Sequence, residues 1–355
     1  MPSRLLIINP GSTSTKLSIY EDYHRIFEKK ISHNTNVLNS LHTIYEQLEY
    51  RKKIIIEFLK EHDIHLVTID AFVGRGGMIR PVKNSGVYLI NQKMIDDLLS
   101  ETYGFHASNL GAMIAFQLAN INNKKSYIVD PVVVDELDDI ARVSGLKGIE
   151  RLSIFHALNQ KKVAKMHATL LSKKYTELDL IVCHLGGGVS VGLHKKGRVV
   201  DVNNALGGEG PFSPERSGTL PIFQVLEFYT KHNLTLDEMK STLVGNGGLE
   251  SYLGTTDGRV IRERINNGDK EALFYIKAMA YQIAKEIGGL YFANKGKIDA
   301  ILLTGGLTYF EILINEILSY LKPYNVYIYY GENEMEAMAQ GVLRIIHSQE
   351  KINLY

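Results

Sequence analysis

The chain has 355 residues, 45% of them hydrophobic, more than one typical core requires, and this predicts two domains with a cleft. Forty Lys and Arg against 39 Asp and Glu leave a net charge of +1, so no global field draws nucleic acid or an anionic membrane, and any anion site must be local. The single Cys183 excludes an internal disulfide framework and a cysteine-rich metal site, and suits a reducing cytosol.

Residues 5–8 form a short β-rich run that breaks at Asn9-Pro10-Gly11 and resumes as an alternating strand over 16–20; a third strand is expected at 26–31. The first run is too short for a signal-peptide core or a membrane span, so the expected location is cytoplasmic. Helical patterns follow at 41–61, 92–101, 108–120 and 156–174, with a buried strand at 127–129. The opening pattern then returns. Residues 180–183 end at His184-Leu-Gly-Gly-Gly188, 189–194 continue as a strand, Lys195-Lys196-Gly197 turns, and 198–202 come back. In both copies the first loop glycine, Gly11 or Gly186, lies two residues after the strand's last polar residue, Asn9 or His184, and 175 residues separate the copies. That is about half the chain, which indicates duplication of one unit, one copy per domain. Helices at 221–231, 236–243 and 270–292, a buried strand at 300–303, a helix at 309–321, a strand at 326–330 and a helix at 334–347 complete an α/β alternation. The boundary is placed near Glu150, giving domains 1–150 and 151–355.

The loops after residues 5–8, 180–183 and 300–303 each carry glycines that let backbone N–H groups approach an anion closely. Any one of them is as well explained by a tight turn; three in the same context point to phosphate cradles. None is a Walker loop, and none is a Gly-x-Gly-x-x-Gly opening a helix. Arg75, between Gly74 and Gly76-Gly77, and Arg216, before Ser217-Gly218, have room for a guanidinium fork to meet a carboxylate or phosphate. Asp130 follows a buried strand, where α/β sheets bind ligands; it suits Mg²⁺ or an incoming carboxylate, and Asp-Pro is also an ordinary turn opener. Asn333 with Glu336 reads as a capping box, which accounts for Glu336 but not Glu334.

Asn9-Pro-Gly-Ser-Thr-Ser-Thr-Lys16, His184-Leu-Gly-Gly-Gly188 and Thr304-Gly-Gly-Leu307 resemble the acetate and butyrate kinase family, within the actin, sugar kinase and heat-shock ATPase superfamily. The resemblance continues in order through Val73-Gly-Arg-Gly-Gly77, His106-Ala-Ser-Asn-Leu-Gly111, Asp130-Pro131, Ile154-Phe-His-Ala-Leu-Asn159, Glu215-Arg-Ser-Gly218 and Glu332-Asn-Glu334. It implies two duplicated actin-like (ribonuclease H-like) domains with an interdomain active-site cleft. The acyl substrate would lie on the first domain and the nucleotide on the second, with the C-terminal helix packing back on the first. The implied activity is direct in-line transfer from ATP, with Mg²⁺, to a short-chain carboxylate, giving an acyl phosphate and ADP. Such chemistry is mainly positioning and charge stabilisation, because a carboxylate is already an ionised nucleophile.

By the same resemblance Arg75, Asp130, His156 and Arg216 are catalytic, and the substrate side comprises Arg75, Gly76, Gly77, His106, Phe105 and Phe155. Ser12, Ser14, Lys16, His184, Gly186, Gly187 and Gly188 would meet phosphate, with Asp257, Arg259, Gly305, Gly306 and Leu307 on the nucleoside side. Asn9, Asp130 and Glu334 would hold the metal. The segments at 9–16 and 75–77 resemble butyrate and branched-chain fatty acid kinases more closely than acetate kinases, which carry bulky aliphatic residues where Gly76 and Gly77 stand. Removing those side chains is expected to open volume for a longer chain, at about 0.8 kcal/mol per buried CH₂. Butyrate is thus the first expectation, with isobutyrate, acetate and propionate as alternatives. A hydroxyl kinase using Asp130 as its base, or an actin-like or heat-shock-like nucleotide switch that would not need Arg75 and Arg216 together, are the rival classes. The expected partners are ATP and a small carboxylic acid, in a homo-oligomer of at least two chains, with no nucleic acid and no membrane.

Overall fold

The computed structural model describes every residue except Met1, His42 and Phe105. Its contacts divide the chain into two compact units, Met1–Val134 with Asn333–Tyr355, and Asp135–Glu332.

The first unit is built on a six-stranded sheet of β1 (Arg4–Pro10), β2 (Ser14–Glu21), β3 (His24–Ser32), β4 (Ala71–Gly74), β5 (Val87–Leu89) and β6 (Lys125–Val129), in the order β3-β2-β1-β4-β6-β5. β1, β2 and β3 form an antiparallel meander, β1, β4 and β6 run parallel, and β5 closes the edge antiparallel to β6. Leu5 through Ile8 are fully buried, the continuous apolar run expected of a strand at the centre of a covered sheet. The helix Asn109–Ile121 packs on β4 and β6, and Glu334–Ile346 packs on β1, β4 and β6. The helix Ile44–Glu61 packs on Asn109–Ile121. It starts at a capping box of Thr43 with Glu46 and buries Ile44, Leu48, Arg51, Ile55 and Leu59, a helical stripe with an arginine in its middle.

The second unit carries β7 (Asp179–Leu185), β8 (Val189–Lys195), β9 (Arg198–Val202), β10 (Ala300–Gly305) and β11 (Val326–Tyr330), in the order β11-β10-β7-β8-β9. Strand alternation divides the core between the two faces of this sheet. Ile181, Cys183, Leu185, Ile301 and Leu303 join one cluster with residues of the helix Lys270–Ala293. Leu180, Val182, Ala300 and Leu302 join the other with Val163, Ala164 and Ala168 of the helix Ala157–Leu170. Here too the apolar runs are continuous because both faces are covered.

The duplication is present in the fold. β7 repeats β1 at the same 175-residue interval, each begins an antiparallel meander, and each pairs parallel with a later strand, β4 or β10. Both meanders also carry a register shift, at Ile19/Tyr20 and at Leu193/His194, one residue away from exact correspondence at that interval. β4, β5 and the helix Gly258–Asn266 have no counterpart among the elements expected from sequence. The capping box expected at Asn333 does not form: that side chain makes no cap bond, and Glu336 instead accepts from Gln340 Nε2 at 2.7 Å. Among the described residues no helix is long and apolar enough to cross a membrane.

Candidate active site

In the first unit the loop after β1 is fixed from below. Gly11 N–H donates to Ser14 O at 2.7 Å. Arg51, 1% exposed, donates through Nη1 to Gly11 O (2.9 Å), Ser14 O (3.2 Å) and Thr15 Oγ1 (3.3 Å), and through Nη2 to Ser12 O (2.8 Å). One buried guanidinium thus satisfies the carbonyls of the Ser12 and Ser14 turn, while Lys16 on β2 stays exposed. Replacing Arg51 by methionine, which keeps the length and removes the donors, is expected to cost about 1–3 kcal/mol because partly buried carbonyls lose a charged donor. Urea unfolding and amide exchange across the loop would read the loss.

β4 delivers Arg75 to the end of β1. Its N–H continues the ladder by donating to Ile8 O at 2.9 Å, and its Nη1 makes a short ion pair with Glu334, which opens the helix Glu334–Ile346. Asn9 Nδ2 donates to the same Glu334 oxygen at 2.9 Å. Three residues widely separated in sequence therefore meet, each set at the terminus of its element. Asp130 is placed differently. It follows β6 at a φ of +39° and exchanges two bonds with Gly86, Gly86 N to Asp130 Oδ1 at 2.6 Å and Asp130 N to Gly86 O at 2.9 Å.

Gly76 and Gly77 correct the expectation that they open space. A Cβ on Gly77 would fall on Asn109 Oδ1 and lie 2.8 Å from Asn109 N, and one on Gly76 would lie 2.9 Å from Pro131 Cβ and 3.3 Å from Ile128 Cδ1. Both glycines admit close neighbours rather than leaving a void. Asn109, fully buried, fastens this segment by accepting from Met78 N at 2.8 Å and donating to Gly104 O at 3.1 Å. His106 Nδ1 accepts from Ser108 N at 3.2 Å and meets Ser108 Oγ at 2.8 Å. With Nδ1 accepting, the proton of the neutral ring sits on Nε2. Phe105 lies outside the described residues, and Phe155 is 2% exposed, a core position.

In the second unit the glycine loop after β7 is lined by charge. A Cβ on Gly188 would collide with the Arg216 guanidinium, one on Gly187 would lie 3.1 Å from Glu215 Oε1, and one on Gly186 would lie 2.8 Å from His184 Nε2 and 3.1 Å from Glu332 Oε1. Arg216 donates to Ala205 O at 2.8 Å. Burial draws its pKa down and Glu215 opposes the shift, yet an arginine stays cationic. His156 and His184 stack in parallel with centroids 3.7 Å apart. His184 Nδ1 meets Asn159 Nδ2 at 2.9 Å and its Nε2 lies 3.3 Å from Glu332 Oε1. Glu332 is carried there by Gly331, whose carbonyl accepts from Gly305 N at 3.1 Å.

A methyl on Gly258 would touch Phe310 Cδ1 at 3.6 Å and Leu307 Cδ2 at 3.8 Å, so the 255–259 segment adjoins the turn Gly306–Tyr309, and Gly306 has open space before it. Asp257 caps the helix Gly258–Asn266. Its bonds from Arg259 hold its carboxyl down to about 2.

Arg51, Asn109, Asn159 and Glu332 are absent from the candidates read from sequence. The signal for Arg51 was an arginine in register with an apolar stripe; Asn109, Asn159 and Glu332 lie inside the quoted motifs. Among the described residues no three of His, Cys, Asp and Glu form a metal cage. Mg²⁺ keeps most of its waters and leans on nucleotide phosphates, so one or two carboxylates suffice; Glu334 with the Asn9 amide oxygen fits that requirement.

The family model described as the acetokinase family matches residues 143–353, more than half the chain. The acetate kinase of Porphyromonas gingivalis has a similar structure, with a TM-score of 0.78 and 17% identity over 97% of this chain and 100% of that one. For the propionate kinase of Francisella tularensis subsp. tularensis SCHU S4 the TM-score is 0.78 at 18% identity, over 96% and 98%. For the acetate kinase of Entamoeba histolytica it is 0.75 at 16%, over 96% and 98%. At these identities the likeness is one of fold, two actin-like domains.

Proposed function

Because this chain belongs to the acetokinase family, and is therefore an ATP-dependent carboxylate kinase that works with Mg²⁺, we propose that its acceptor is a short-chain acid, butyrate first, converted to butyryl phosphate. The observation that carries this reading is the Arg75 guanidinium fixed by Glu334 beside Asn9: a rigid cationic fork at a strand terminus suits a carboxylate, an already ionised nucleophile that needs no base. On this reading Arg75 orients the acid and Arg216 takes up charge that spreads over the transferring phosphoryl oxygens. His156 donates a hydrogen bond to that group and His106 to the acid. The turn at Ser12 and Ser14, Lys16, and Gly186 to Gly188 with His184 receive the nucleotide phosphates, and Asp257, Arg259, Gly305, Gly306 and Leu307 flank the nucleoside. Glu334 and Asn9, with Asp130, would hold Mg²⁺, which supplies charge neutralisation at the phosphates.

Butyrate is supported by the resemblance of the 9–16 and 75–77 segments and no longer by space at Gly76 and Gly77. Hydroxylamine trapping with ATP, Mg²⁺ and acids of two to six carbons tests both levels. Hydroxamate is expected with butyrate at a kcat/KM about tenfold above acetate. A higher kcat/KM for acetate, propionate or isobutyrate would transfer the assignment to that acid, and turnover with sugars but no hydroxamate would overturn the carboxylate reading.

A further inference from the structure

A line of buried side chains runs across the second unit to His156. Gln160, on the helix Ala157–Leu170, lies across β8 between Ser190 and His194; all three are fully buried. Its Nε2 is 3.0 Å from Ser190 O. A backbone carbonyl only accepts, so the amide NH₂ faces Ser190 and Oε1 faces His194, 2.9 Å from Nε2. Oε1 only accepts in turn, so His194 carries its proton on Nε2. Burial and the nearby Lys161 keep that ring neutral. Its Nδ1 is therefore bare and accepts from Tyr175 OH at 2.7 Å.

The other end of the line turns on the Ser190 hydroxyl. Gln160 Nε2 also donates to Ser190 Oγ at 2.8 Å. A hydroxyl has one proton, and the remaining partner of Ser190 Oγ among the described residues is His156 Nδ1, at 2.9 Å. With the hydroxyl donating to Nδ1, its one remaining acceptor, the neutral form of the His156 ring carries its proton on Nε2. Gly192 makes the arrangement possible: a Cβ there would lie 2.5 Å from Gln160 Oε1 and 3.4 Å from His194 Nε2, so any side chain would evict Gln160 from its slot.

We infer that Gln160 is a positioning residue that, through the Ser190 hydroxyl, holds His156 as the Nε2–H tautomer. Its bearing on catalysis rests on the proposed role of His156 as a hydrogen-bond donor to the transferring group; the tautomer itself does not. Gln160→Glu tests this at constant size. A carboxylate accepts where the amide donated, so the Ser190 proton turns toward residue 160 and His156 must place its own proton on Nδ1. Long-range ¹H–¹⁵N correlations of the full-length protein, with the His156 signals assigned by their loss in His156→Gln, are expected to show Nε2–H in the wild type and Nδ1–H in Gln160→Glu. The same substitution should lower kcat about a hundredfold, the scale of one lost transition-state donor, with both KM values within about threefold. In a Ser190→Ala background, which cuts the link, Gln160→Glu should lower kcat no further. Gln160→Met should leave the hydroxyl unoriented and yield both tautomers, a readout that remains if the glutamate variant does not fold. Nδ1–H in the wild type, an unchanged His156 spectrum in both Gln160 variants, or a full kcat loss in the Ser190→Ala background would overturn the inference. A wild type with the expected tautomer that forms no acyl phosphate would overturn the functional reading alone.

Discussion

Replacing Arg216 by alanine is expected to lower kcat for acyl phosphate formation about a thousandfold, at the lower end of what arginines contribute to phosphoryl transfer, while the KM for ATP stays within about threefold. The guanidinium lies against Gly188 with Nη1 on Ala205 O, so its carbon and fork are fixed before substrate arrives, and fixed donors stabilise charge without reorganising. Burial strengthens that effect, because fewer waters screen the cation. The nucleotide would keep its contacts with the loop backbone, which is why affinity and turnover should separate. Arg216→Lys retains a point charge and loses the planar fork, and is expected to recover no more than about a tenth of the lost rate. Arg75→Ala should be comparably damaging for a second reason: it strips Glu334 of its cation, leaving Asn9 as the partner still in hydrogen-bond contact. Hydroxamate formation, nucleotide affinity and thermal melting on each variant would separate the contributions. Turnover surviving both alanine substitutions would make the arginines structural.

How much of this was readable beforehand depends on whether the cause is local. β1 and β7 announce themselves because each is an apolar run stopped by glycine, and their 175-residue repeat is visible without any structure. β4, only Ala71–Gly74, has no such signature. Four residues become a strand because β1 and β6 hydrogen-bond to them on either side, a condition imposed by the rest of the sheet. The same distinction governs the site. Asn9, Arg75 and Glu334 could each be proposed from family motifs, but the pairing of Arg75 with Glu334 spans 259 residues and leaves no local trace. Arg51 did leave one, an arginine in register with Leu48 and Ile55. An apolar stripe containing a charge means either a broken helix face or a buried group with partners, and the carbonyls of the β1–β2 turn are those partners.

Gly76 and Gly77 show why a missing side chain is ambiguous. Sequence records that no Cβ is present, and two physical situations produce that: space left for something else, or a neighbour so close that no Cβ fits. Here the neighbours are Asn109, Pro131 and Ile128. The acyl chain must then find its room elsewhere, and a bulky residue at position 77 would displace the start of the helix Asn109–Ile121 before it narrowed any pocket. Gly192 is the same device in the second unit, where the occupant of the vacated position is the Gln160 amide.

Lys161 yields the second large effect, on stability. Its ammonium is completely buried, 2.5 Å from Glu136 Oε2 and 3.1 Å from Gly197 O, and the same Glu136 oxygen accepts from Val199 N at 2.8 Å. Lys161→Met fills almost the same volume and leaves the Glu136 carboxylate buried without this cation, which is expected to cost about 3–5 kcal/mol. The pair itself need contribute little, because taking two charges out of water offsets most of their attraction. The prediction that separates these ideas is the double substitution: Lys161→Met with Glu136→Gln removes both charges, keeps an acceptor for Val199 N, and should recover most of the loss. Urea unfolding midpoints for the wild type, both single variants and the double variant close the cycle. Equal losses in Lys161→Met and in the double variant would mean that lost packing around the lysine stem, not the stranded carboxylate, sets the cost. Lys161 directly follows Gln160 on the helix Ala157–Leu170, so a shift large enough to repack it should also move the His156 signals; with the charges matched in the double variant those signals should return to their wild-type positions.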